Sequence, residues 1–171
     1  MAMDLITKIN RTRFLGAEFL LWLWHRSAVQ EGRFDGEGES FELYFDSRIV
    51  LESAGEIREQ SVIKAESPTE TPEAQEALRT GKLPMEAKLR ILIGPNQWTT
   101  TFKAEAFQLA GTKVPGLLAK DEEEVIHERL HLMEELEGVI EALYRQFLDQ
   151  RLDDDTWRDQ VTLMRDWVAK A

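Results

Sequence analysis

From Phe19 to Trp24 the chain reads Phe-Leu-Leu-Trp-Leu-Trp without one polar residue. A helix made of such a run has no hydrophilic stripe to turn toward water, so the rest of the fold has to enclose it. Glu18 and Arg26 flank the run too closely for a membrane span. The stretch Phe14–Arg26 is therefore expected to be a central core helix, capped by Asn10 or Thr12 and running to about Val29, ahead of Gly32, Gly36 and Gly38. Residues 1–13, with Lys8, Arg11 and Arg13, read as an N-terminal arm.

Sheet signals follow. Phe41, Leu43 and Phe45 alternate with polar residues. Asp46-Ser47 then reads as a turn into a hairpin partner, Arg48–Glu52. Glu56–Lys64 reads as a third strand. Thr71 as cap, Pro72 at the first helical position and Gly81 as terminator predict a short helix between them. A second hairpin spans 87–104. Ala87, Leu89, Ile91 and Ile93 share one face with Trp98, Thr100, Phe102 and Ala104, across the turn Gly94-Pro95-Asn96-Gln97. Phe107-Gln108-Leu109 adds a short strand before Val114-Pro115-Gly116.

The remainder is helical. Asp121 with Glu124 resembles a capping box, and the acids at 121–124 sit where a helix dipole favours negative charge. Ile126, Met133, Ile140 and Phe147 recur every seven residues, joined by Val125, Leu132, Leu136, Val139 and Leu143. A helix over 121–150 would be roughly 45 Å long, longer than a small domain, and could meet a second subunit or protein along part of its length. Asp153–Thr156 opens a last helix carrying Trp157, Val161, Met164 and Val168, expected to fold back on the rod. The pattern as a whole predicts an α+β fold over residues 14–171. An antiparallel sheet of about five strands (about 40–110) packs on a buried N-terminal helix, with a C-terminal helical hairpin (about 119–170).

Composition narrows the chemistry. The 171 residues contain no cysteine, so there is no disulfide framework, thiolate metal site or cysteine nucleophile. The start, Met1-Ala2-Met3-Asp4, lacks a signal-peptide pattern, so a cytoplasmic protein without membrane association is expected. No serine-elbow, phosphate-loop or dinucleotide motif occurs, and no cofactor is expected. One motif does suggest catalysis. His127-Glu128-Arg129-Leu130-His131 matches H-E-x-x-H, which on a helix sets two imidazoles one turn apart for zinc, with Glu128 as general base. A zinc site needs a third protein ligand, however, and the nearby Glu134, Glu135, Glu137 and Glu141 share the same helix. Surface histidines among acids are the simpler reading, with a zinc metallopeptidase the lower alternative. His25, at the end of the hydrophobic helix, reads as packed or hydrogen-bonded.

Net charge is −11, which opposes generic attraction to nucleic acid or anionic membrane. The charge is uneven. Residues 121–171 hold 15 acids and 6 bases, whereas 79–113 hold 6 bases and 2 acids. Lys88, Arg90 and Lys103 alternate with the apolar residues of the second hairpin, so they project from the sheet's outer face as candidate contacts to phosphates.

Several runs, in this order, resemble the C-terminal half of longer recombination-associated proteins of the RdgC family. They are Phe14-Leu15-Gly16-Ala17-Glu18-Phe19-Leu20-Leu21-Trp22-Leu23-Trp24, Pro72-Glu73-Ala74, Ala77–Lys82, Trp98–Phe102, Lys113-Val114-Pro115 and Glu128-Arg129-Leu130. The likeness covers Phe14 to about Trp167. It implies a non-enzymatic protein that binds double-stranded DNA with little sequence preference, forms a dimer and restrains recombination. The family's DNA-binding ring is attributed to its other half, which lies outside the likeness. An alternative is an interaction module that docks a protein partner, or itself as a homodimer, through the long helix without DNA affinity.

Overall fold

The computed structural model describes residues 5–36, 38–53 and 57–170, with side chains from Leu15 onward. Helix α1 spans Leu5–Val29, so it begins well before Asn10 and Thr12, and neither caps it. No Pro or Gly interrupts 5–15, and residues 5–13 continue the helix instead of forming a separate arm; 1–4 lie outside the described residues. Ala17, Phe19, Leu20, Trp22, Leu23 and Trp24 are all buried, with Trp22 at 0% exposure.

The sheet holds β1 (Arg33–Asp35), β2 (Ser40–Glu52), β3 (Gln60–Lys64), β4 (Leu83–Ile93), β5 (Asn96–Lys103) and β6 (Gln108–Lys113). Every pairing is antiparallel, in the order β1-β2-β4-β5-β6, with β3 also pairing β2. Phe41–Asp46 and Arg48–Glu52 are therefore not the two arms of a hairpin. They are halves of one strand, and both pair with β4, as in Leu43 opposite Ile91 and Ile49 opposite Ala87. Asp46-Ser47 marks a bulge, with Ser47 at φ +25°; the extra residues bend the strand without reversing it. Glu56 lies outside the described residues, and the third strand begins at Gln60. Phe107, at φ +50°, is the turn into β6, which starts one residue later. The second hairpin matches its expected faces, with Ala87, Leu89, Ile91, Ile93, Trp98, Thr100, Phe102 and Ala104 all buried.

Helix α2 (Pro72–Arg79) follows a short 3-10 turn, and the Thr71 hydroxyl accepts from the Ala74 N–H at 3.3 Å. Gly81 adopts φ +88°, the left-handed residue expected after the helix. α3 (Glu122–Arg151) turns Leu132, Leu136, Ile140, Leu143 and Phe147 inward. Ile126 and Leu130, one turn apart in its first turns, stay 59% and 56% exposed, so the apolar stripe outruns the core. α4 (Asp154–Lys170) folds back after two residues and buries Met164.

Two indoles fasten α3 to the rest of the core. Trp98 donates its N–H to the Leu132 carbonyl, and Trp22 donates to Gln150 Oε1, each at 2.9 Å. Phe19 stands at the hub, 5.5 to 6.1 Å from the rings of Trp22, Phe102, Phe107, Tyr144 and Phe147. On the other side Trp24 and His25 meet Trp167 of α4, and His25 Nδ1 lies 3.2 Å from the Gln160 amide. Burial, then the neighbouring Arg26 charge, lowers the His25 pKa, so the imidazole sits neutral in the α1–α4 contact.

Candidate nucleic-acid interface

β4 alternates buried Ala87, Leu89 and Ile91 with Lys88 and Arg90, which point to the sheet face turned away from α1. Register extends that face across three strands. Arg90 lies opposite Thr99, Lys88 opposite Thr101 and Glu86 opposite Lys103, while Lys113 of β6 lies beside Thr99. The sheet thus brings Lys88, Arg90 and Lys103 together as expected. It adds Lys113, which strict alternation from Gln108 would have turned to the inner face; an irregularity at Gly111, φ +59°, brings it round to the outer one.

Glu42, Asp46 and Glu86 share the face, and Glu52 and Glu105 line a hollow together with Glu86 and Lys103. Glu86, opposite Lys103, is held by Arg48. Glu42 accepts a hydrogen bond from the Tyr44 hydroxyl at 2.9 Å, which raises the tyrosine pKa. Asp46 is the cross-strand neighbour of Lys88, with no ion pair between them. Arg90 lies 5.4 Å from the Tyr44 ring centre, stacked as a cation on its face, and its Nε has no hydrogen-bond partner among the described residues. Lys103 and Lys113 are both exposed, and the threonine hydroxyls between the strands add neutral donors suited to phosphate oxygens.

The H-E-x-x-H residues do something else. Asp121 has extended backbone but its side chain makes no capping bond, so the expected capping box with Glu124 does not form. Glu128 instead reaches back along the helix. Its two carboxylate oxygens accept from the backbone N–H groups of Leu118 and Ala119, both at 2.8 Å. Those two bonds, Leu118 first, lower the Glu128 pKa, the opposite of what a general base working near neutral pH requires. His127 and His131 are exposed, and among the described residues no three His, Cys, Asp or Glu side chains are grouped to hold a metal ion. The motif's glutamate is a latch that ties the approach segment to α3.

The latch has a pH signature. A carboxylate with a lowered folded-state pKa contributes stability at neutral pH and loses it as pH falls through that lowered value. In acid titration by NMR, the Leu118 and Ala119 amide protons are expected to move together upfield, with a midpoint below the ordinary glutamate range. In Glu128→Gln both titrations should vanish.

The chain matches no protein-family model, and no curated protein or solved structure is significantly similar to it. Among the described residues no helix is long and apolar enough to cross a membrane.

Proposed function

We propose that this chain is a non-enzymatic accessory protein of DNA transactions, of the RdgC type, that lays the outer face of its sheet along the phosphates of double-stranded DNA. The carrying observation is the gathering of Lys88, Arg90, Lys103 and Lys113 on one sheet face in a chain of net charge −11. A protein so acidic gains nothing from its overall field, so its cations help only where they are concentrated. The sequence likeness supports the same reading. The contacts would position the duplex without reading bases, since lysines and threonines on a sheet face reach backbone oxygens.

Counterion release makes this quantitative. Four phosphate contacts give a slope of log affinity against log salt of about −3.6. In a salt-titrated anisotropy assay with a mixed-sequence duplex, Lys88→Ala with Lys103→Ala should flatten that slope by roughly 2 and weaken binding equally on every sequence. No binding at low salt, or a slope the double variant leaves unchanged, would end the proposal.

Exposed Ile126 and Leu130 favour a second reading, an interaction module that uses the first turns of α3 against a partner or a second copy. That reading expects association sensitive to Leu130→Glu and no DNA affinity.

A further inference from the structure

Between α1, α2 and α4 lies an open groove of about 630 Å³, within the range of about 300–1,000 Å³ that small-molecule sites occupy. Leu21, Leu78, Trp157, Val161 and Met164 line its apolar wall. Around it stand three cations, Arg79 and Lys82 from the end of α2 and the turn after it, and Arg165 from α4. The one acid in the lining, Glu18, is taken by Arg151 at 2.7 Å. Arg165 is exposed and has no ion pair or hydrogen bond among the described residues, while Lys82 contacts only the neutral Ser61 hydroxyl, at 2.9 Å. Arg79 is the one rim cation with an acid beside it, Glu76 at 3.4 Å.

The geometry points to a binding site for a small amphiphile with an apolar body and an anionic head, of which a medium-chain fatty carboxylate is the simplest. An apolar wall ringed by cations is the complement of such a molecule. The contrast is sharp because the rim cations belong to a chain with 32 acidic side chains. A second copy fits poorly. A two-fold contact here would set Arg79, Lys82 and Arg165 of one protomer against the same residues of its partner. A helical peptide fits poorly too, because the α2 wall is eight residues, only about 12 Å, long. Such a wall matches an extended acyl chain. The site uses none of the residues on the sheet's outer face, so it stands or falls separately from the DNA proposal.

The test is calorimetric titration of the full chain with monomeric octanoate, decanoate, decanol and decyltrimethylammonium. Decanoate is expected to bind at one site, with octanoate roughly tenfold weaker for the two methylenes lost. Decyltrimethylammonium should bind at least about tenfold weaker than decanoate, and Lys82→Glu with Arg165→Glu should reverse that preference. Arg165→Gln alone should weaken decanoate and leave decanol unchanged, which separates loss of the head-group contact from loss of the fold. Absence of decanoate binding, equal binding of the anionic and cationic amphiphiles, or indifference to both variants would overturn the site. So would a concentration-dependent dimer in sedimentation that Val161→Arg, a further cation in the apolar wall, disperses, because the occupant would then be a second copy.

Discussion

Trp22→Ala is expected to destabilise the protein by about 3–5 kcal/mol in denaturant unfolding, with the midpoint shifted and the slope little changed. Trp22 is fully buried, and its ring lies 6.1 Å from Phe19 and 5.9 Å from Phe147. Truncation therefore opens a cavity between α1 and α3 that rigid aromatic neighbours cannot collapse into. Two polar groups lose their partners in the same step. Gln150 Oε1 no longer receives the indole N–H, and the Arg26 guanidinium, 5.0 Å above the ring and with an Nε that has no hydrogen-bond partner among the described residues, loses the face that compensates its burial. Against a typical domain stability of about 5–15 kcal/mol, this one change removes a large share. Trp22→Phe separates the two contributions. It keeps most of the apolar contact while removing the hydrogen bond, so it should cost well under half as much. Equal losses in both variants would mean that the Gln150 bond, and not the packing, dominates.

What could be read from the residues, and what could not, follows from the range of the deciding interactions. α1 was legible because six consecutive apolar residues leave a helix no alternative to enclosure. α2 was legible because Thr71, Pro72 and Gly81 act within one turn of themselves. The second hairpin was legible because alternation on both strands demands the same inner face. The failures are of another kind. Asp46-Ser47 carries the chemistry of a turn, and a bulge uses the same residue types. What distinguishes them is that β4, some forty residues on, pairs with both halves of β2. β1 is only Arg33–Asp35, held by its pairing with Ser40–Glu42, and nothing in three residues announces a strand.

The functional surfaces divide the same way. Lys88, Arg90 and Lys103 could be placed on one face because period-two alternation is local. The partner of Glu128 is backbone nine and ten residues earlier, in a segment with no regular structure, and no motif encodes it. The apolar groove draws Leu21, Leu78 and Met164 from three helices, so only their packing creates it.

Gly16 gives the second large effect, and its sign runs against helix propensity. Alanine in place of glycine inside a helix ordinarily stabilises by about 1 kcal/mol. At Gly16 an added Cβ would lie 2.0 Å from the Ala104 carbonyl oxygen, 2.8 Å from its carbon and 3.0 Å from its Cα. All three atoms belong to the main chain just past β5, where Ala104 N–H is already bonded to the Met85 carbonyl at 2.8 Å. A side chain could swing aside; this backbone can move only by breaking the sheet bond or lifting α1 off the core. Gly16→Ala is therefore expected to destabilise by about 3 kcal/mol, the upper end of overpacking costs. Ala104→Gly should not rescue it, because the clash is with atoms that glycine retains. Gly138 supplies the control. It lies inside α3 with nothing within 4 Å of its added Cβ, so Gly138→Ala should raise stability by up to about 1 kcal/mol. The same chemical change thus has opposite signs on two helices, and thermal unfolding of both variants under one set of conditions reads the difference directly. If Gly16→Ala were as stable as the parent, α1 could not cross the end of β5 this closely, and the enclosure of Phe19 and Trp22 would have to be drawn differently.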